Sequence, residues 1–301
     1  PSRTDLQPEE ILPISFENGQ RLNLKVKYHK LEDDRSRTLK IYSPYVIMNA
    51  TGQELYVEGE NFNVAQSKVL IENEKPYSEP MMFSFMDTEN NDRVRVKFMK
   101  TENSIPLSLD AIGQVFDVTL NVANNSQECN LGVSITEGVG TYHLSKVIHI
   151  SPRYMIKNEL AFPINVCELG SPDAINIEPN ESMPLYYLQN IINKQLMIKT
   201  LGNNSEWTSP FFVKDVGLTY IRLLKEPGNH MLLKLEIILQ EATLFISIKH
   251  AKNLWPYSIR NFSDNEYIFY QRDFRIVDEH YDQTEEEDTF ESPEIEYKPI
   301  Y

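Results

Sequence analysis

The stretch Tyr154-Met155-Ile156-Lys157-Asn158 alternates apolar and other side chains as a β-strand does, and it ends on a lone asparagine. The same spelling, Tyr-x-Ile-x-Asn, occurs at residues 45–49 and 257–261, so the three copies begin 109 and 103 residues apart. Self-similarity at a nearly fixed period is typical of repeat architectures. The phrase therefore predicts a chain built from repeats of about one hundred residues.

Three further anchors recur in the same order at a common offset of 104 residues. Residues 80–83 (PMMF) correspond to 184–187 (PLYY), residues 104–107 (SIPL) correspond to 208–211 (TSPF), and Gly113 corresponds to Gly217. The segments between these anchors alternate apolar and polar residues and are separated by turn sequences. No helical periodicity is sustained, and residues 188–196 come nearest to a short helix. We predict an all-β fold of tandem β-sandwich-like repeat modules of about 100 residues.

The same reasoning predicts the domain organisation. Residues 1–44 form the end of a preceding repeat, 45–153 and 154–256 form complete repeats, and 257–301 start a further repeat. Within the last segment, residues 278–296 hold ten Asp or Glu residues and no Lys or Arg. Such a run predicts a flexible, solvated acidic loop. A docking strip for a basic partner is the alternative for this loop.

Composition excludes several classes of function. The formal net charge of -15 argues against nucleic-acid binding and against direct docking to anionic lipids. Two cysteines are too few for a disulfide scaffold. Neither a signal peptide nor an apolar run that could cross a bilayer is evident, and the sequence does not begin with methionine. We expect a soluble, cytoplasmic fragment of a longer protein.

The sequence contains no recognisable catalytic constellation. It has no nucleophile elbow, no phosphate-binding glycine-rich loop and no His-Glu-x-x-His motif. His143 and His149 would share a strand face, but nothing nearby supplies a third metal ligand. Cys129 and Cys167 fall in different repeats and are expected to be small buried apolar groups. We predict that the chain is not an enzyme and needs no metal and no cofactor.

Several stretches resemble a known family. The stretch Ser-Pro-Arg-Tyr-Met-Ile-Lys-Asn-Glu-Leu at 151–160 resembles the repeat signature of the vacuolar protein sorting 13 family, as do residues 207–212 (WTSPFF) and residues 257–261 with 269–271. The resemblance covers about 15–275. It departs from the pattern in the first complete repeat, where Ser104-Ile105 stands in place of a Trp-Ser pair.

The resemblance implies a function that composition does not reveal. Members of this family are bridge-like lipid-transfer proteins of membrane contact sites, and their adaptor-binding (VAB) region consists of six β-rich repeats. That region captures short Pro-x-Pro motifs of organelle-specific adaptors. By resemblance, we expect a monomeric module near the C-terminal end of the region, peripheral at membrane contact sites and in contact with membranes only through adaptors. Proline-containing segments are already extended, which suits addition to a sheet edge.

The resemblance also identifies candidate site residues. Asn49, Asn158 and Asn261 match the characteristic asparagine of the family's repeats. Their carboxamides could clasp the strand-to-loop transition or contact a bound peptide. The densest aromatic cluster, residues 255–270, supplies the candidate peptide-binding residues, which are Tyr257, Ile259, Asn261, Tyr267 and Phe269. Two other functions stay open, an architectural spacer without a ligand and a lipid- or membrane-binding β module.

Overall fold

A computed structural model gives the fold, and it describes residues 9–17, 20–30, 37–59, 64–66, 69–72, 75–86, 93–122, 126–202, 205–226, 229–252, 259–267, 270–271 and 298–299. The chain divides into two compact units, Pro1–Leu254 and Trp255–Tyr301. Strands dominate, and the single helical element in the described ranges is a 3-10 turn at Gly140–Tyr142. The all-β prediction is confirmed. The short helix expected within 188–196 is wrong, because the two ends of that segment lie in strands of different sheets.

The first three strands form an antiparallel sheet in the order β1-β2-β3. These strands are β1 (Glu10–Ser15), β2 (Arg21–Lys30) and β3 (Arg37–Tyr42). Alternation places apolar residues of β2, among them Leu22 and Val26, on one face of the sheet, and both are buried. The chain continues from β3 directly into the first Tyr-x-Ile-x-Asn phrase.

We call residues 45–152 the first module. It contains β4 (Tyr45–Asn49), β5 (Leu55–Gly59), β6 (Val64–Gln66), β7 (Val69–Glu72), β8 (Lys75–Ser78), β9 (Met81–Phe83), β10 (Arg93–Phe98), β11 (Leu107–Ser108), β12 (Val115–Asn121), β13 (Gln127–Glu137) and β14 (Lys146–Pro152). One sheet has the order β12-β13-β14-β4-β9 and the other β11-β10-β5-β6. Strands β7 and β8 form a separate hairpin.

We call residues 154–250 the second module. It contains β15 (Tyr154–Asn158), β16 (Ile164–Glu168), β17 (Ala174–Ile177), β18 (Ser182–Pro184), β19 (Tyr187–Gln189), β20 (Gln195–Thr200), β21 (Phe211–Phe212), β22 (Gly217–Glu226), β23 (Asn229–Gln240) and β24 (Thr243–His250). Its sheets have the orders β18-β15-β24-β23-β22 and β17-β16-β20-β21. Read in the opposite direction, as β22-β23-β24-β15-β18 and β21-β20-β16-β17, these orders match those of the first module strand for strand.

In each module the phrase strand pairs in parallel with the last strand. Asn49 lies beside Ile150, and Asn158 lies beside Ile248. Inward-facing side chains of the two sheets form one apolar core per module. The alternation that the sequence shows in these strands is therefore the alternation between core and surface. The domain boundaries after residues 44, 153 and 256 stay predictions.

The structure corrects one of the sequence anchors. Phe83 pairs with Tyr45, and the Leu185 N–H donates to the Tyr154 carbonyl, so Phe83 and Leu185 hold equivalent positions. The equivalence of residues 80–83 and 184–187 is therefore wrong by two residues. The other anchors hold, since Leu107 and Phe211 pair with equivalent positions of β10 and β20, and Gly113 and Gly217 both have positive φ. The two segments had been matched on Pro80 and Pro184. The register of a strand is fixed by its pairing with neighbouring strands and not by a single shared residue type.

The second unit contains two short described strands, β25 (Tyr270–Gln271) and β26 (Lys298–Pro299), which pair antiparallel. Residues 259–267 are also described and carry no strand. Tyr257, Phe269 and the acidic segment 278–296 lie outside the described residues.

Candidate functional site

Each repeat asparagine organises the turn that follows it. In the second module, Asn158 Oδ1 accepts a hydrogen bond from the Leu160 N–H at 3.0 Å, and Nδ2 donates to the Phe162 carbonyl at 3.0 Å. The same Nδ2 donates to the Ile177 carbonyl at 3.0 Å, which ties the turn to β17. A carboxamide satisfies donor and acceptor groups at once, and this explains why the strand ends on asparagine.

The other two asparagines make the same local bonds. Asn49 Oδ1 accepts from the Thr51 N–H at 3.0 Å, and its Nδ2 donates to the Gln53 carbonyl at 2.8 Å. Asn261 Oδ1 accepts from the Ser263 N–H at 2.9 Å, and its Nδ2 donates to the Asn265 carbonyl at 2.6 Å. Asn49 and Asn158 are buried, whereas Asn261 is exposed. A role of these asparagines in peptide binding stays a prediction.

Candidate peptide-binding residues in the second unit lie on an exposed segment. Ile259 is 63% exposed and Tyr267 is 57% exposed. Sequence reasoning missed Phe262, which follows the asparagine directly and is 92% exposed. Exposed large apolar side chains this close in sequence are suited to contact a partner. Their role stays a prediction.

A cleft of about 710 Å³ lies between the two modules. One wall is the Asn49 turn of the first module. The opposite wall is the outer face of the second module's larger sheet, where Pro184, Met155 and Phe245 occupy paired positions on three adjacent strands. Ile238 continues this row onto β23. The cleft thus combines the residues of the Asn49 turn with a half-exposed apolar row.

The second module also contributes a strand to the first module. Strand β19 pairs antiparallel with the start of β13, where Tyr187, Leu188 and Gln189 lie opposite Cys129, Glu128 and Gln127. We call residues 186–194 the strap. Tyr186 and Tyr187 pack on the core of the first module, while Leu188 belongs to the core of the second. Because the two tyrosines pack on one core and Leu188 belongs to the other, the strap interlocks the two modules.

Polar groups of the strap are tightly held. The Tyr186 hydroxyl donates to the Thr51 carbonyl, and burial raises the pKa of Tyr186 to about 12, so the hydroxyl stays protonated. Lys194 Nζ donates to the carbonyls of Gln189 and Ile191, both at 2.9 Å. Sequence reasoning missed the strap, since nothing in residues 186–194 indicates that they pair with a strand of the other module.

A buried carboxyl stands beside the strap. Glu168 Oε2 accepts the Gln189 N–H at 2.7 Å, whereas Oε1 is buried without a hydrogen-bond partner. Burial raises the pKa of Glu168 above its ordinary value, although the Gln189 N–H and the Lys194 charge act in the opposite direction. The seam between the modules therefore contains an ionisable group whose charged form is poorly stabilised.

The described residues offer little for catalysis. No group of three or more His, Cys, Asp or Glu side chains that could hold a metal ion occurs among them. Cys129 and Cys167 are free and buried, and burial raises the pKa of each thiol, which leaves them as unreactive thiols. No helix in the described ranges is long and apolar enough to cross a membrane.

Comparison with known proteins identifies the family. The model of the vacuolar-sorting associated protein 13 adaptor binding domain matches residues 1–301. The chain is 34% identical over 275 residues to the intermembrane lipid transfer protein VPS13 of Chaetomium thermophilum, covering 89% of this chain and 8% of that protein. It is 24% identical to VPS13A of Mus musculus, covering 70% and 6%, and 24% identical to VPS13D of Homo sapiens, covering 84% and 6%.

The chain spans less than a tenth of the length of these relatives. The resemblance in its repeat phrases is confirmed by a match over its whole length. The chain belongs to the vacuolar-sorting associated protein 13 family, and it corresponds to the adaptor-binding domain of that family.

Proposed function

We propose that this chain is a non-catalytic interaction module that captures short Pro-x-Pro motifs of organelle-specific adaptors by β-strand addition. The observation that carries the proposal is the match of the whole chain to an adaptor-binding domain. Capture of adaptors would bring a lipid-transfer protein to chosen membrane contact sites, with this module on the cytoplasmic side. Membrane contact is then indirect, through the adaptor.

The geometry supports strand addition over an inert spacer. Strand β18 is the outermost strand of its sheet, and no strand in the described ranges pairs with its outer edge. Pro184 of this strand lines the cleft beside Met155 and Phe245. An uncovered edge beside apolar side chains provides both backbone pairing and side-chain contacts for an extended peptide.

Direct lipid binding receives less support. On β10, Arg93, Arg95 and Lys97 alternate on the outer side. Arg95 lies opposite Glu58, which neutralises part of this charge. An anionic membrane surface would be attracted by an excess of cations, whereas the chain as a whole has a formal net charge of -15.

Titration of the 301-residue chain with a fluorescently labelled Pro-x-Pro peptide tests the proposal. The matched control peptide has both prolines replaced by alanine. We expect saturable binding of the first peptide and at least about tenfold weaker binding of the second, a difference of about 1.4 kcal/mol. Equally weak binding of both peptides would contradict adaptor capture and would favour the spacer function.

The candidate residues are tested in the same titration. We expect Asn261→Ser to weaken binding more than Asn49→Ser, since we place the binding unit near the C-terminal end. Thermal unfolding of each variant separates lost binding from lost folding, because removal of an asparagine strands its partners. Unchanged affinity of a folded Asn261→Ser protein would remove Asn261 from the site.

A further inference from the structure

The repeat asparagine of the first module is linked to the second module through Thr51. Asn49 Oδ1 accepts two hydrogen bonds from Thr51, one from its N–H at 3.0 Å and one from its hydroxyl at 2.7 Å. The Thr51 carbonyl in turn accepts a hydrogen bond from the hydroxyl of Tyr186, the first residue of the strap. Asn49 and Thr51 are both buried. A chain of shielded hydrogen bonds therefore runs from the asparagine of one module to the neighbouring module.

Asn49 fixes the direction of the Thr51 carbonyl. Both ends of its carboxamide are used, since Nδ2 donates to the Gln53 carbonyl at 2.8 Å while Oδ1 holds Thr51. Gly52, between the two tethered residues, has a positive φ of 71°, which lets the chain reverse within the turn. Because the turn is closed on both sides of Gly52, the peptide group after Thr51 has little freedom to rotate. Its carbonyl is a pre-oriented acceptor.

Tyr186 is held on the first module at three points. Its carbonyl accepts the Asn130 N–H at 3.1 Å. Its ring packs on the first core, with 5.0 Å between the centroids of the Tyr186 and Phe98 rings. Its hydroxyl forms the third contact, with the Thr51 carbonyl. Backbone, ring and hydroxyl together seat the start of the strap, and the hydroxyl contact is the one that depends on the Asn49 turn.

The tyrosine distinguishes this joint from the preceding one, between the β1-β2-β3 sheet and the first module. Ser84 holds the position of Tyr186 in the first module, because it follows Phe83 as Tyr186 follows Leu185. The Ser84 hydroxyl accepts the Asn23 N–H of β2 at 2.7 Å. A serine side chain is too short to bond this strand and also extend to a turn beyond it. Tyr186 thus adds a contact that the repeat by itself does not require.

We propose that Asn49 is a positioning residue for the joint between the modules: it holds the Thr51 carbonyl where Tyr186 donates to it, and so keeps the strap of the second module on the first. The role of Asn49 then extends beyond its own turn into the neighbouring repeat, and it is independent of Pro-x-Pro capture. The Asn49 turn also forms one wall of the cleft between the modules. A substitution of Asn49 therefore alters the cleft even if the asparagine contacts no ligand.

Amide hydrogen exchange of the full 301-residue chain, followed by NMR, tests the proposal. The Asn130 and Asn190 N–H groups report on the strap, because they donate across the joint to the carbonyls of Tyr186 and Ser126. We expect Tyr186→Phe and Asn49→Ala each to accelerate exchange of both amides at least about fivefold. Unchanged exchange in Asn49→Ala would overturn the proposal.

Ser78→Ala is the matched control for Asn49→Ala. Ser78 Oγ accepts a hydrogen bond from Asn49 Nδ2 at 3.3 Å, so the substitution alters the carboxamide at the end that does not hold Thr51. We expect exchange of the Asn130 and Asn190 amides to change less than about twofold. Acceleration as large as that of Asn49→Ala would mean that any disturbance of the turn loosens the strap, and would overturn the role assigned to the Thr51 carbonyl.

The double variant of Asn49→Ala with Tyr186→Phe separates positioning from a local structural role. If Asn49 acts through the Thr51 carbonyl, the tyrosine hydroxyl has no oriented acceptor once Asn49 is replaced. We therefore expect the Asn130 amide of the double variant to exchange within about twofold of its rate in Asn49→Ala alone. Two independent fivefold effects would instead multiply to about twenty-five-fold, and that result would overturn the proposal.

Ser134 provides an internal reference for opening of the whole first module, since it lies in β13 and pairs with both β12 and β14. We expect exchange of its amide to change less than about twofold in every variant. Equal acceleration at Ser134 and Asn130 would overturn the proposal. Circular dichroism shows whether each variant is folded. If Asn49→Ala does not fold, Thr51→Val replaces it in the same double-variant experiment, because it removes the hydroxyl that donates to Asn49 Oδ1 and keeps the side-chain shape.

Discussion

Lys194 of the second module forms a 2.8 Å ion pair with Glu128 of the first, and the two side chains are only 4% and 9% exposed. The pair lies at the strap, where β19 has joined the sheet of the neighbouring module. Burying two charges is costly unless they are paired and further hydrogen-bonded, and here Lys194 also donates to two carbonyls. The modules are therefore joined by an interface with the character of a protein core, and each depends on its neighbour.

Lys194→Met tests the contribution of this ion pair. Removal of the lysine leaves Glu128 buried without its partner, and we expect the free energy of unfolding to fall by about 3–5 kcal/mol. Lys249→Met removes the half-exposed pair with Glu236 and is expected to cost at most about 1 kcal/mol. Urea unfolding measures both variants. Similar small losses for the two would mean that the buried pair does not hold the modules together.

Gly132→Ala tests the close contact between β13 and the turn after β23. A Cβ atom on Gly132 would lie 2.3 Å from the Ala242 carbonyl oxygen, so the backbone at this contact must shift. We expect a loss of about 1–3 kcal/mol in the free energy of unfolding. Gly202→Ala is the control, because a Cβ there meets nothing within 4 Å and φ is ordinary. A Gly132→Ala protein as stable as the control would contradict the packing described.

Asn158→Ala and Asn261→Ala compare the same turn in buried and exposed surroundings. Asn158 is fully buried, so its loss strands the Leu160 N–H and the Phe162 carbonyl and is expected to cost about 1–3 kcal/mol for each stranded group. Water can replace the carboxamide at Asn261, and we expect a loss below about 1 kcal/mol. Differential scanning calorimetry measures both. A larger loss at Asn261 would contradict a purely local role there.

Glu168→Gln tests the pH dependence of the seam. Because burial raises the folded-state pKa of Glu168 above its ordinary value of 4.5, the folded protein holds a proton that the unfolded chain releases. The contribution of Glu168 to stability therefore falls as pH rises from about 4.5 through the raised pKa, and the amide removes this dependence. We expect Glu168→Gln to be more stable than the parent protein at pH 7 and similar to it near pH 4.

Glu236→Gln is the control of opposite sign. Lys249 lowers the pKa of Glu236, so its contribution is present above the ordinary value and is lost as pH falls through the lowered pKa. Urea unfolding between pH 3 and pH 7 measures the difference between each variant and the parent. An unfolding free energy of Glu168→Gln that tracks the parent across this range would show that Glu168 is not coupled to folding.

Local alternation and the repeated phrase were enough to predict an all-β fold of repeat modules and the position of the asparagine turns. The phrase Tyr-x-Ile-x-Asn places side chains alternately in the core and at the surface, and its carboxamide satisfies the backbone of the turn that follows. Both features depend on residues that are close in sequence, so they can be predicted from the local sequence alone.

Contacts between residues far apart could not be predicted in this way. Nothing in the letters around Tyr186 or Lys194 shows that they leave their own module and complete its neighbour, and the proline match at residues 80 and 184 pointed to a register two residues out. Strand pairing and burial depend on which backbone edge is free and which surface is uncovered once the sheets have formed. The sequence by itself therefore determined the repeat and its asparagine turn, whereas only the tertiary structure decided where one module receives a strand from the next.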